Sequence, residues 1–321
     1  MHDAGRGSRV LVRALAGAAA VLLALGFAQQ PIATDAHVTH PYQGITCIDR
    51  TETSPRAIHI HAVQVDLTAR GVRFTLSPPA GEREVVRQTT LEFLKQERAQ
   101  IAINAHFFLP FPSSDRTAWI IGIGASNGRV YSAFETPEQR YAIVADAPGL
   151  NIDRENHAAI VHRDPSKEDG LHVREAVTLW TTVSGSAQIV TGGRASVPAY
   201  RDAAHPAALL EPRPPAYSNA TSWYDVTTAR SAIGLSRDGH RLTLFTVDAR
   251  GGSQGMRVGE VAAMLIEDYG VWDAINLDGG GSTSLAMADP TTGAASLVNV
   301  SSDNPLGRSV GSSLAVFAAR R

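Results

Sequence analysis

The sequence predicts a single α+β domain over residues 57–321, built on a mixed, mostly antiparallel β-sheet core with a few packed helices. Three observations predict it. Short apolar and β-branched runs bounded by Gly, Asn, Asp and Pro recur along most of the chain. Only two stretches carry a helical period. RSAIGLS (230–236) and RLTLFTVD (241–248), joined by the turn signal Asp238–Gly239, form a hairpin pattern that needs antiparallel pairing. A hydrophobic content of 44% in 321 residues allows a sizeable core, and no internal repeat or heptad run competes with this reading.

The first 28 residues stand apart. Arg6, Arg9 and Arg13 precede an apolar run, Ala14 to Ala28, and Gly26 and Ala28 are small residues ahead of Gln29. This is a secretory signal pattern. It predicts a mature chain beginning at Gln29 and a secreted, periplasmic or cell-envelope location. The run is shorter than the ~20 residues of a membrane helix, so no stable span is expected after its removal; an uncleaved anchor is the alternative. Residues 29–56 are polar and irregular, and read as a flexible N-terminal segment. Cys47 is the single cysteine, so no internal disulfide forms and stability rests on the core. A net charge of −2 gives no reason to expect a nucleic-acid partner.

IHIHAVQVDL (58–67) alternates and shifts phase at Ala62–Val63, as a bulged strand would; VRFTL (72–76) follows a Gly71 turn and is expected to pair with it. TTLEFLKQER (89–98) predicts a helix capped by Thr90. QIAINAHFF (100–108), WIIGIG (119–124), RVYSAF (129–134), RYAIVAD (140–146), VTLWTTV (177–183) and AQIVT (187–191) predict strands. VGEVAAMLIEDYG (258–270) carries an apolar stripe through Val258, Val261, Ala262, Leu265 and Tyr269, and Gly270 can end it. DAINLD (273–278) and SSLAVFA (312–318) complete the strands.

Three patterns mislead. GGSQG (251–255) matches a serine-hydrolase elbow, yet no histidine follows His240, so the usual Ser–acid–His order cannot be completed. His59 and His61 share a strand face and His106 could join them on zinc, but no carboxylate or cysteine completes that set. DGGGST lacks the lysine of a phosphate loop.

NLDGGGSTS (276–284) is the informative stretch. Each glycine costs about 0.5–1 kcal/mol against alanine inside a regular element, so three in a row point to use. Gly279, Gly280 and Gly281 can present N–H groups to an anion, with Ser282 and Thr283 as further donors. Asp278 ends a buried strand, and Asn276 points to the same side. Arg230, Asp248 and Arg250 stand at the ends of the neighbouring hairpin, where arginine forks suit phosphate oxygens.

FTVDARGGSQGMRVGEVAAMLIEDYGVWDAINLDGGGSTS resembles the signature of the phosphodiester glycosidase family. RSAIG (230–234), INAHFF and Arg308 in NPLGRSV resemble further segments, so the likeness covers roughly residues 100–318. The sequence departs from the family pattern at Ala105–His106 and at Ala249, where glycines are usual. The resemblance implies a hydrolase that cleaves a sugar-1-phosphate diester, with a sugar-phosphate or phosphorylated glycan substrate; no cofactor and no metal ligand is assigned from the sequence. It makes Asp278 the first choice for the catalytic carboxylate and Asp248 the second. Arg230, Arg250 and Arg308 would hold the phosphate, with the glycine N–H groups and the Ser282 and Thr283 hydroxyls; Asn104 and Asn276 would orient sugar or acid. All are expected to converge on one cleft. A non-catalytic secreted glycan-binding protein is the alternative, favoured by His106 in place of glycine.

Overall fold

Short runs of apolar and β-branched residues, many buried on both faces, fill the chain, and the computed structural model, which describes residues 36–134, 147–198 and 224–321, is accordingly mostly β. The largest sheet has the strand order β1 (Ala36–Thr39), β2 (Ile45–Glu52), β3 (Ile58–Asp66), β17 (Arg241–Val247), β16 (Arg230–Ser236), β18 (Val271–Asn276), β14 (Ala187–Thr191) and β15 (Arg194–Ala195). A second runs β20 (Ala295–Leu297), β19 (Leu285–Ala288), β6 (Ile101–Asn104), β21 (Ser313–Phe317) and β4 (Arg73–Leu76). A third runs β10 (Arg129–Ser132), β9 (Gly124–Ser126), β13 (Thr181–Ser184), β11 (Gly149–Ile152) and β12 (Ala158–Val161). The smallest joins β5 (Val85–Val86), β8 (Thr117–Ile120) and β7 (Phe108–Leu109).

Every strand pairing among the described residues is antiparallel, so the expected mixed sheet is corrected. Parallel neighbours need long crossovers, usually helical, and the described residues hold only two α-helices, α1 (Thr90–Glu97) and α2 (Val258–Glu267). The class is therefore mostly β rather than balanced α+β.

The main core lies between the sheets. Val63, Val65, Leu242, Leu244, Ile233 and Ile275 of the large sheet pack with Ile101, Ile103, Leu285, Leu314 and Val316 of the second and Leu150, Ile152 and Val183 of the third. Each helix covers an outer face. On α2, Val258, Val261, Ala262 and Leu265 pack on Ile60, Ala62, Ala232 and Phe245 of the large sheet. On α1, Leu91, Phe93 and Leu94 pack on Ala102, Ala286 and Ala315, whose small side chains let the helix approach the second sheet closely. The described residues fall within one compact unit.

Several expectations change. Thr89, not Thr90, caps α1: its hydroxyl accepts the Glu92 N–H at 3.1 Å and the Glu92 carboxylate accepts the Thr89 N–H at 2.8 Å. The flexible segment expected over 29–56 includes β1, which pairs with β2, and β2, which pairs with β3; its polar residues occupy an edge of the sheet, where only one face needs apolar cover. The β3 bulge is absent, since its pairing with β2 and β17 runs without a shift. The phase change at Ala62–Val63 reflects cover: Ile58, Ile60 and Ala62 face α2, whereas Val63 and Val65 face the inter-sheet core. β4 does not pair with β3 but with β21, far away in sequence. The expected signal peptide and the expected strand at 140–146 lie outside the described residues. No helix of the described residues is long and apolar enough to cross a membrane.

Candidate active site

The segment after β18 is a strap between the two largest sheets. Leu277 N–H donates to the Ser231 carbonyl of β16 at 2.9 Å, and Asp278 N–H donates to Ala105 just beyond β6 at 3.0 Å. Gly280 N–H returns to Ala229 at 2.8 Å, after which the chain enters β19 beside β6. Asn104 at the end of β6 fixes the crossing. Its amide donates to the Asp278 carbonyl at 2.6 Å, and its oxygen accepts from the Ser231 hydroxyl at 2.7 Å and the Ser284 N–H at 3.0 Å. Asn104 is fully buried, so it positions the acid's backbone rather than meeting a sugar.

The bare glycines have local reasons. Gly280 sits at φ +59°, in the left-handed region where a side chain is strained. A Cβ at Gly281 would lie 2.6 Å from Cζ of Arg308, whose guanidinium rests on the glycine backbone, so a side chain there would push that guanidinium aside. The expected anion cradle is reduced, because Gly279 N–H donates to Oδ1 of Asp278 at 2.9 Å and Gly280 N–H is taken by Ala229.

Asp278 lines a narrow pocket with Ser282, Arg308, Phe107, Phe108 and Phe111. The pocket holds about 40 Å³, close to the ~30 Å³ share of one water in the liquid. It admits a reacting group, not a sugar ring. Burial pushes the Asp278 carboxyl up to about 7, against the opposing pull of the Ser282 hydroxyl, the Arg308 charge and the Gly279 N–H. Arg308 is held in place: Nε donates to Asp303 at 3.0 Å, a second nitrogen lies 3.4 Å from the Ser282 hydroxyl, and its Cζ stands 4.8 Å from the Phe111 ring centre. Phe111 is 47% exposed at the rim and packs edge-on against Phe108. The three phenylalanines are the lining residues that sequence reasoning missed. Their only signal was aromatic density in HFFLPFP (106–112).

Other expected site residues lie elsewhere. Asp248 is fully buried behind the strand end. It accepts from Asn299 at 3.1 Å and from the Val300 N–H at 3.0 Å, and Nε2 of His61 lies 3.3 Å away. Its carboxylate is thus occupied within the fold and does not line the pocket. Arg230 is 0% exposed and donates to the carbonyls of Met256, at 3.0 Å, and Val226, and it is not among the residues lining the Asp278 pocket. Asn276 donates to the Ser186 hydroxyl at 2.9 Å and also lies on the α2 side. Thr283 is buried and gives its carbonyl to Asn299. Arg250 is exposed, in a groove bordered by residues 299–306. The pocket therefore gathers Asp278, Ser282 and Arg308, with Asn104 holding the Asp278 backbone; Asp248, Arg230, Arg250, Asn276 and Thr283 are not among its lining residues.

His106 also leaves the ligand side. It is fully buried between Ser312, 2.9 Å from Nδ1, and the Ile123 carbonyl, 3.0 Å from Nε2, and burial pushes its pKa down to about 4, keeping the ring neutral. It cannot meet His59 or His61 on a metal, and no group of three or more His, Cys, Asp or Glu side chains among the described residues is arranged to hold one. Ser253 is structural too: its hydroxyl donates to the Asp248 carbonyl at 2.5 Å and accepts the His59 N–H at 3.0 Å.

His61 makes a prediction. Burial alone would lower its pKa, but hydrogen bonds and charge from Asp248 and Asp49 outweigh that and raise it to about 9. A histidine raised above its unfolded value stabilises the fold fully below that value and loses the contribution as pH rises through the folded pKa. Stability should therefore fall by about 2–3 kcal/mol between pH 6.5 and 9. Urea midpoints at pH 6 and pH 9 test this; His61→Gln should lower the first and flatten the difference, and an equal difference in both proteins would remove His61 as its source.

The sequence model of the phosphodiester glycosidase family matches residues 97–317. Among solved structures, the chain is similar to the catalytic domain of zebrafish N-acetylglucosamine-1-phosphodiester alpha-N-acetylglucosaminidase, auto-inhibited by its pro-peptide, at 19% identity and a TM-score of 0.55, over 90% of this chain and 85% of that one. It is also similar to a hypothetical protein from Synechocystis (17% identity, TM-score 0.50, 86% of this chain and 62% of that one). A putative exported protein from Burkholderia pseudomallei is comparable (15% identity, TM-score 0.50, 81% and 74%). These likenesses show a shared fold. No curated protein sequence matches the chain.

Proposed function

The chain belongs to the phosphodiester glycosidase family, and on that premise we propose that it is an exported hydrolase of sugar-1-phosphate diesters, acting through Asp278. The observation that carries this reading is a single buried carboxyl facing a fixed guanidinium across a pocket with an aromatic rim. The sugar is too large for the pocket and lies at its mouth against Phe111, with the anomeric carbon toward Asp278. Arg308 takes the phosphate oxygens. The C1–O bond breaks toward an oxocarbenium-like transition state, and the bonding electrons leave with a phosphate monoester. That leaving group needs little protonation. Asp278 therefore works ionised, as nucleophile or as the base that draws a proton from water.

The signal pattern at residues 1–28 supports export. The name of the zebrafish relative supports N-acetylglucosamine as the first sugar to try. The binding-protein alternative rested on His106, which is buried away from the pocket and so lends it no support.

The test is hydrolysis by purified protein of a panel of sugar-1-phosphate methyl diesters. The expected result is release of free sugar and methyl phosphate, with kcat/KM rising as pH passes through about 7, where Asp278 ionises. Binding of these diesters without turnover would overturn the hydrolytic reading and favour the binding-protein alternative. A rate that falls through the same range would make Asp278 a general acid instead.

A further inference from the structure

Beside the Asp278 pocket lies a groove of about 660 Å³, bordered by Lys95 of α1, by Arg250, and by the segment from Asn299 to Leu306. The two sites share a wall. Asp303 lines the groove and accepts from Nε of Arg308, which lines the pocket. The groove is within the ~300–1,000 Å³ typical of small-ligand sites, whereas the pocket holds about 40 Å³.

The groove's chemistry is specific. Lys95 and Arg250 are exposed and pair with no carboxylate among the described residues. Its one lining acid, Asp303, is neutralised by Arg308. Ser301 and Asn304 offer hydroxyl and amide partners, and Leu306, 65% exposed, offers an apolar surface of the kind on which sugar rings pack. Two free cations, neutral hydrogen-bonding groups and an apolar rim together complement a chain of sugars bearing anions.

We infer that the groove is a second anion subsite, holding a neighbouring phosphate of the same substrate, so that the substrate class is a glycan polymer of repeating sugar-phosphate diesters rather than a lone diester. This rests on the hydrolytic reading above. Lys95 and Arg250 add binding energy remote from the reacting bond, and the gain should weaken as salt screens it.

The test compares a synthetic trimer of N-acetylglucosamine-1-phosphate units with the monomeric methyl diester. Wild type should show a KM for the trimer lower by about tenfold, the scale of a modest second contact. Lys95→Ala with Arg250→Ala should erase that advantage and leave kcat and KM on the monomer unchanged. Equal KM values for trimer and monomer in wild type, or equal damage to both in the variant, would overturn the subsite.

A binding arm separates this from failure of the reaction itself. Asp278→Asn is titrated with the trimer, and with a uronic-acid trimer, at low and high salt. Salt-sensitive binding of the phosphate trimer that depends on Lys95 and Arg250 supports the subsite even if no diester is cleaved, in which case the hydrolytic reading alone fails. Equal binding of the uronic-acid trimer would overturn the assignment to phosphate.

Discussion

Asp278→Asn is expected to lower kcat on a sugar-phosphate diester by at least ~10², the usual minimum for losing a nucleophile or base, and to make the fold more stable above pH 7. The two effects share one cause. Burial raises the carboxyl to about 7, against the opposing contributions of Ser282, Arg308 and Gly279. The folded protein therefore binds a proton more tightly than the unfolded chain. Stability declines as pH rises from about 4, the ordinary carboxylate value, through 7, and above that the buried charge is carried at full cost. A shift of this size is worth about 2–4 kcal/mol. Asparagine keeps the shape, can still accept the Gly279 N–H, and has no charge to bury. Melting temperatures at pH 4 and pH 8 should show the variant equal to wild type at the first and higher by several degrees at the second. A variant that turns over at near wild-type rate would end the catalytic assignment, and an unchanged melting temperature at pH 8 would show that the carboxylate is not held at a cost.

The second large effect belongs to Arg308. Its guanidinium rests on Gly281 and is braced by Asp303, Ser282 and the Phe111 ring. A charge-assisted bidentate contact is worth roughly 1.5–3 kcal/mol per hydrogen bond, so Arg308→Ala should lower kcat/KM on the phosphodiester by about 10²-fold or more. The loss should be much smaller on an uncharged aryl glycoside, where no phosphate is held. Arg308 also lowers the Asp278 pKa. Its removal should move the rising limb of the pH profile above 7. Arg308→Lys keeps the charge and should restore the inflection while recovering only part of the rate, since an ammonium lacks the planar fork. Equal losses on both substrates with no change in the profile would mean that Arg308 only props the turn.

Local pattern carried much of this far. The hairpin of β16 and β17 was legible because the Asp238–Gly239 turn signal sits in a four-residue connection between two apolar runs. The capping spacing of Thr89 and Glu92 was present in the sequence, although the cap was expected one residue late. NLDGGGSTS marked Asp278 because adjacent glycines are costly without a use, and both Gly280 and Gly281 have one.

What the sequence by itself determined, then, was the predominance of strands, the two helices and the buried aspartate at the glycine turn. The tertiary structure decided the partners. β4 pairs with β21 across the length of the chain. Asp248 and Arg230 belong to segments of the same family likeness as Asp278, yet one is held by His61, Asn299 and Val300 and the other by two carbonyls. Phe111 carried little local signal and Arg308 was marked only by its family-like segment, yet the two line the pocket together. The physical reason is that turn geometry and hydrophobic period act between neighbours in sequence. The ionisation of a carboxylate and the orientation of a guanidinium are set by burial and by groups within a few ångströms, and only the packing of distant strands brings those groups there.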